Sequence, residues 1–548
     1  MRNSACEGMK SMNVPVLIVG AGPIGLAVAG DLAWRGVASI CIERGDGVVI
    51  QPKMDMIHIR TMEVCRRWGL VDKVEKAGYN RAHPQDNVWV TTLCNGFELG
   101  REPFPACEDE PYPPQSPQRR ERCPQNFFDP VLQKWVLGQS LADLRYHTEL
   151  VDFTQDANGV QATIRNIKTG ETEEVHAQYL VGCDGAGSPV REKLGITMTG
   201  NAVLTYTTNV IFHSPQLAKI QDIAPAYRYI FIDGEGTWST LVAIDGRDNY
   251  RFSLVGNREK RQLTDEELKA GILRCIGRDC EIELLSTMPW TRRELVADKY
   301  GMDRVWLVGD SAHQLSPTGA FGMNTGIQEA NDFAWKVAAM VQGWGGPNLL
   351  KSYEIERKPI AARNVAEAAR NLARMLETRE RKPPAEIFET SPVGDAARKE
   401  YGDWYTERMS HEWFTIGIQI GYRYDGSNIC VPDDTTPPPF EVARYVQASH
   451  AGARAPHVWL KDGRSTLDLF GRGFVLLRLG ADEVNVQPLL AAARLRGVPV
   501  RVEDLDEKPV IDLYEKKLVL VRPDGHVAWR GDALPSDPLA LVDVIRGA

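Results

Sequence analysis

The sequence of 548 residues contains no pair of cysteines at CxxC spacing. Its ten cysteines are scattered, and Cys275 and Cys280 have no histidine pattern around them. This excludes a thiol-redox motif and predicts free thiols in a reducing cytoplasm, with no metal site. No apolar run approaches the ~18–20 residues needed to span a bilayer. The opening MRNSACEGMKSMN lacks the apolar centre of a signal peptide and reads as a disordered leader over 1–13, with Met9 or Met12 as alternative starts. Positive charge is not in excess: the net charge is −9, which argues against nucleic acid or an anionic membrane as partner. No internal repeat or low-complexity segment occurs. What is present is an ordinary soluble composition, 43% apolar and 25% charged, in a chain long enough for two or three domains.

The segment VPVLIVGAGPIGLAVAGDLAWRG reads as a short strand, a glycine turn and a helix, and ASICIER as a second strand. A helical pattern follows in DMIHIRTMEVCRRWGLVDKVEKAG, and then a proline-rich stretch over 102–118 that reads as an irregular loop or flap. GVQATIRNIKTGETEEVHAQYLVGCDG alternates around a Thr-Gly turn and predicts a hairpin running into a buried strand. From about 200 to 290 the patterns are mostly β, with one helix after LTDEEL. Helices then run to about 380, where RKPPAE marks a boundary. Residues 450–548 read as a small α/β domain.

Three separated motifs carry the chemistry. The first is Gly20-x-Gly22-x-x-Gly25, containing Pro23, with Glu43 and Arg44 at the end of the next strand. The glycines allow a tight turn and close approach of a pyrophosphate to a helix N-terminus, and Glu43 suits the hydroxyls of an adenosine ribose. An acid at that position fits FAD or NAD better than NADP. The second motif is YLVGCDGAGSPVR, with Asp184, Gly185, Ser188 and Arg191. The third is VWLVGDSAHQLSPTGAFGMNTG, where an apolar strand stops at Asp310 and hands over to Pro317, Gly319, Gly322, Met323, Asn324 and Gly326.

In this order and spacing the three motifs resemble the single-component FAD-dependent aromatic hydroxylases, the class A flavoprotein monooxygenases. The resemblance covers nearly the whole chain. It implies a Rossmann-like FAD-binding domain over 14–75, 115–195 and 295–385. It also implies an inserted substrate-binding sheet over 76–114 and 196–294, a linker and helical region over 386–445, and a thioredoxin-like domain without CxxC over 446–548. That last domain is similar to the one in phenol hydroxylase and dichlorophenol monooxygenase. The resemblance further implies that Asp310 binds the ribityl chain and that the N–H groups of Pro317–Gly326 face the N1/O2 edge of the flavin. Gln125 and Lys53 would lie beside the cofactor. Ala320 replaces a commoner glycine, a change expected to matter little. Glu329 and Asp332 stand where Asp and Asn are frequent.

The implied reaction uses NADPH or NADH and O2 to hydroxylate a small phenolic substrate through a flavin C4a-hydroperoxide, in catabolism of substituted phenols. An electrophilic oxygen needs an electron-rich ring, so a base near the phenol is expected. Asp55 is the first candidate and His58 the second; a helix cap is the alternative role for Asp55. Tyr250 and Arg251 lie on a strand expected to roof the pocket, where Arg251 could hold a phenolate or an acidic substituent. Pro317 completes the expected catalytic set. A homodimer is expected. The alternatives are a hydroxylase that tailors polyketide quinones or phenols, and an inactive FAD-binding scaffold.

Overall fold

The computed structural model describes residues 10–257, 259–260, 262–480 and 484–548. Residues 1–9 of the expected leader, Met9 included, lie outside these. Residues 10–13, expected to be disordered, are ordered. Lys10–Val19 is one strand, and Lys10 to Asn13 extend it because the long hairpin strand Thr172–Gly182 offers a partner as far as Glu173.

That strand sits inside a largely parallel sheet. The order is Gly301–Met302, Val305–Leu307, Thr172–Gly182, Lys10–Val19, Ser39–Ile42, Ala142–Arg145, with the hairpin Thr148–Gln155/Val160–Asn166 on the long strand. The run Val16–Val19 is almost fully buried, as expected of a strand covered on both faces. Gly20 ends it with φ of 100°, a conformation open to glycine at little cost. Helix Pro23–Trp34 then packs closely on its neighbours: a Cβ at Gly30 would stand 2.0 Å from the Trp135 ring.

A second, mostly antiparallel sheet of eight strands is built from Asn87–Val90, Glu98–Glu102, and six strands between Met198 and Gln314. Its edge strand His313–Gln314 belongs to the third motif and pairs with Glu283–Ala297, so the sheet is hydrogen-bonded directly to the cofactor-facing segment. The region 386–445 holds helices Pro392–Met409 and Ile416–Ile420. Helix Pro392–Met409 packs its Tyr401, Tyr405 and Met409 against Trp89, Leu99, Ile230 and Ile232 of this sheet.

The last hundred residues form a four-stranded sheet in the order Val500–Leu505, Phe474–Leu479, Leu518–Val521, Val527–Gly531, flanked by three helices. Its Phe474 and Leu476 share a core with Trp335, Ala339 and Trp344 of the first domain. Among the described residues no helix is long and apolar enough to cross a membrane.

Candidate active site

One cleft, of about 770 Å³, runs from the first glycine turn to the second sheet. At one end lie Gly22, Pro23, Gly185 and Asp310; at the other lie Asp55, Arg122, Tyr227 and Arg251. The segment Ser316–Ala320 with Gly322 and Met323 lies between them.

The glycines of the first motif divide their work. A Cβ at Gly20 would stand 2.4 Å from the Cys183 carbonyl oxygen, and one at Gly25 1.8 Å from that of Gly20, so both serve packing. Gly22 alone of the three faces open space and the cleft. It caps helix Pro23–Trp34 with no side-chain bond, which leaves N–H groups for an anion. Glu43 fixes the turn by accepting from the Ala21 N–H at 3.0 Å and the Gly45 N–H at 2.8 Å. Arg44 is exposed and does not line the cleft.

Asp184 spends one carboxylate oxygen on local support and leaves Oδ1 buried without a partner. It does not line the cleft, and it accepts from the Val190 N–H at 3.1 Å; Gly185 faces the cleft instead. Arg191 ties this motif to the third by donating to the Ser311 carbonyl at 3.0 Å and the Ala186 carbonyl at 3.1 Å. Asp310 lines the cleft with no hydrogen bond to its carboxylate among the described residues, so it has capacity for a ligand hydroxyl.

The third motif holds two departures. The Gly319 N–H is taken by Glu412 at 3.2 Å, and the Ala320 N–H by the Pro317 carbonyl at 3.1 Å, so the loop's N–H groups are not all free. The free donors are those of the first turn of helix Phe321–Val341, where Gly322 and Met323 line the cleft and no side chain caps the end. Asn324 does not face the cleft. It brackets two segments, accepting from the His58 N–H at 2.8 Å and Thr61 Oγ1 at 2.7 Å while donating to the Met56 and Ala320 carbonyls. Ala320 has φ of 56°, which explains why glycine is the commoner residue there and makes the replacement strained rather than neutral. Glu329 is buried and accepts from the Gly309 N–H and from His313 Nε2, both at 2.9 Å.

Two helix N-termini thus face one cleft. Their free N–H groups, with the unpaired Asp310 carboxylate as acceptor, fit an FAD: Gly22 and the first turn of helix Phe321–Val341 would hold its anionic groups, and Asp310 would accept from a hydroxyl. Lys53 and Gln125 line the wall, joined by a 3.0 Å bond from the Lys53 N–H to Gln125 Oε1, and the Lys53 ammonium lies over the Trp290 ring at 5.9 Å.

At the far end Asp55 is buried and fully engaged. It accepts from Arg122 Nη1 at 3.0 Å, from the Tyr227 hydroxyl, and from Arg251 Nη2 at 3.5 Å. Burial alone would raise its carboxyl, but the Arg122 and Arg251 guanidiniums and the Tyr227 bond hold it below the usual range. A carboxylate so held is a poor proton acceptor, so the base role expected of it does not suit its surroundings. Nor does it cap the next helix: that position is His58, which makes no side-chain cap. The His58 ring is pushed down to about 3, first by burial and then by Arg120, against a bond that it donates to the Gly319 backbone. It is neutral at pH 7.

Tyr250 is corrected. Successive residues of a strand face opposite ways, and Tyr250 points away from the cleft, stacked on Phe212 at 5.5 Å and donating to the Arg247 carbonyl. Arg251 and Ser253 face the cleft. Tyr227, Arg122, Arg228, Arg292 and Glu412 went unread. They come from four distant parts of the chain, and only the alternation along Glu283–Ala297 carried a local signal, for Arg292.

Residues 13–368 match the family described as FAD binding domain, and residues 448–546 the one described as Aromatic-ring hydroxylase, C-terminal. The chain is 31% identical to tetracenomycin B2 monooxygenase-dioxygenase of Streptomyces olivaceus, covering 98% of each sequence. It is 30% identical to 2,4-dichlorophenol 6-monooxygenase of Delftia acidovorans, covering 94% of each. Among solved structures, the rebeccamycin biosynthetic enzyme with reduced flavin superposes with a TM-score of 0.90 at 38% identity, over 98% of this chain and 99% of that one.

Proposed function

The chain belongs to the FAD-dependent aromatic-ring hydroxylases, and from that membership we propose that it adds one oxygen atom of O2 to a phenolic ring seated among Asp55, Tyr227 and Arg251. NADPH or NADH is the electron donor in this reading. FAD, when bound, supplies the reduction by the nicotinamide and the activation of oxygen. The chain's residues do the rest. Gly22 and the first turn of helix Phe321–Val341 bind and orient the cofactor. Arg251 favours the ionised phenol, whose ring is the better nucleophile. Asp55 holds Arg251, Arg122 and Tyr227 in place. Pro317 and Met323 line the cleft that both would share.

The observation that carries this reading is the position of the Asp55–Tyr227–Arg251 group in the same cleft as the two uncapped helix N-termini. Two substrate classes have support. The 38% identity to the rebeccamycin biosynthetic enzyme and the 31% identity to the tetracenomycin enzyme support a biosynthetic aromatic intermediate. The 30% identity to the dichlorophenol enzyme supports a substituted phenol in catabolism. Substrate-stimulated NADPH oxidation, measured against simple phenols and fused-ring phenols, tests both. Stimulation by one class selects it, and stimulation by neither overturns the reading.

A further inference from the structure

The turn that presents Asp310 is held from behind by a buried pair of titratable groups. His313 and Glu329 are both 0% exposed, and neither lines the cleft. Glu329 rides on helix Phe321–Val341, and its Oε2 accepts from His313 Nε2 and from the Gly309 N–H, both at 2.9 Å. One carboxylate oxygen thus ties the Asp310 turn to the helix whose first turn faces the cleft. The acceptor fixes a proton on Nε2, so the proton that comes and goes sits on Nδ1, which has no partner among the described residues.

Charge decides what that proton does. Four charged groups meet here: His313 on its edge strand, Asp310 on the turn, Glu329 on the long helix, and Arg357 on helix Leu349–Glu380. Tyr300, Tyr353 and Cys183 also face Glu329, but burial pushes all three well above their ordinary values and keeps them neutral. Arg357 stays charged throughout, donating to the Thr325 carbonyl at 3.3 Å. Burial pulls the His313 ring down, but Glu329 and then Asp310 carry it above its ordinary value, with Arg357 opposing. When His313 is protonated, two cations balance two carboxylates. When it is not, a net negative charge stays buried behind Asp310, facing a cofactor that is itself an anion. The His313–Glu329 bond also weakens, from a charge-assisted one to a neutral donor's.

We propose that His313 is a positioning residue for the cofactor and that FAD binding takes up its proton: the imidazolium offsets Asp310 and Glu329 and holds the Asp310 turn against helix Phe321–Val341. This rests on the cleft's being the FAD site. The sign follows. A cofactor that prefers the protonated form is held fully below the pH at which His313 titrates and less tightly as pH rises through it.

The test is the dissociation constant of FAD from the full chain between pH 6 and 9, read from the fluorescence that FAD regains on release. Calorimetry in two buffers of different ionisation enthalpy counts the protons. Wild type should lose about tenfold in affinity across that range and take up protons on binding. His313→Gln keeps a donor for Glu329 but has no proton to lose, so it should bind at every pH about as weakly as wild type does at pH 9. His313→Lys keeps a cation throughout and should bind FAD at pH 9 more tightly than wild type does.

A wild-type constant that is flat from pH 6 to 9, with no proton taken up, overturns the proposal. So does a slope that persists in His313→Gln, which would assign the titration to Asp129, a buried carboxyl beside Gln125 pushed up to about 7. Because neither nicotinamide nor phenol is present, a protein that binds FAD with this slope but transfers no oxygen sinks the oxygenase reading alone. One that binds FAD without the slope sinks this proposal and leaves the cofactor site standing.

Discussion

At the scale of single residues, Asp55 shows how far a motif can be read. Its place in the cleft was legible from KMDMIHIR; its state was not, because Arg122, Tyr227 and Arg251 reach it from 67, 172 and 196 residues away. Its low carboxyl keeps it ionised throughout neutral and mildly acidic pH. Asp55→Asn should weaken substrate binding and slow turnover, with a pH–rate profile parallel to wild type from pH 6 to 9. A variant that climbs with pH while wild type stays flat would restore the base role. Tyr250 and Arg251 make the same point about geometry: a period of two was enough to separate them, since only one of two neighbours on a strand can face a ligand. Ala320 yields a second prediction. Relieving a left-handed alanine with Ala320→Gly should raise stability by about 1 kcal/mol, measured by denaturant unfolding of the FAD-loaded protein. Equal or lower stability would show that the backbone there carries no strain.

At the scale of elements, helix Ile59–Trp68 was visible in the sequence as an amphipathic run, but its function as a coupling element was not. Its Glu63 accepts from Arg60 at 2.9 Å and from Arg454 in the C-terminal domain, and from Ser116 at 2.6 Å. Burial would raise this carboxyl, but Arg454 and then Arg60 bring it down to about 2. A depressed acid stabilises the fold above its unfolded value, ~4.3. That stabilisation falls away as pH drops from there through about 2. Glu63→Gln would leave two buried guanidiniums without their partner and should cost about 3–5 kcal/mol. Unfolding at pH 7 and at pH 3 checks this: the gap between variant and wild type should shrink in acid. A gap that stays constant with pH would mean the pairing contributes nothing. The glycine turn, the hairpin and the second sheet's strands between 198 and 257 were legible, because their patterns are local; Asn87–Val90, Glu98–Glu102 and Glu283–Ala297 went unread. The packing of Pro392–Met409 on that sheet was not, since its partners Trp89 and Ile230 lie far off in sequence.

At the scale of the whole molecule, the C-terminal sheet is bound to the cofactor domain by a buried network. Arg522 donates to Glu356 at 2.6 Å, Asp332 at 3.0 Å and Asp524 at 2.7 Å, and Lys336 joins Asp332 and Glu356. Trp335, Ala339 and Trp344 bury against Phe474 beside it. Removing residues 446–548 should therefore uncover apolar surface and unpaired charge together, and leave a protein that aggregates or fails to retain FAD. A soluble, yellow fragment would contradict this and make the domain an independent appendage. The sequence reads this domain as a small α/β unit, with Leu518–Val521 and Val527–Gly531 merged and helix Lys508–Tyr514 unmarked. It says nothing of the network, because charged residues in a helix read as solvated until a partner domain covers them.

In the proposed function the cleft joins an FAD site to a phenol site, and oxygen passes between them. Turnover of the FAD-loaded enzyme under 18O2, with NADPH and the phenol that most stimulates its oxidation, tests that claim most directly. The expected product has one added oxygen, carrying 18O from the gas and none from water. NADPH consumption that ends in hydrogen peroxide for every phenol tried, or a product oxygen derived from water, would contradict it.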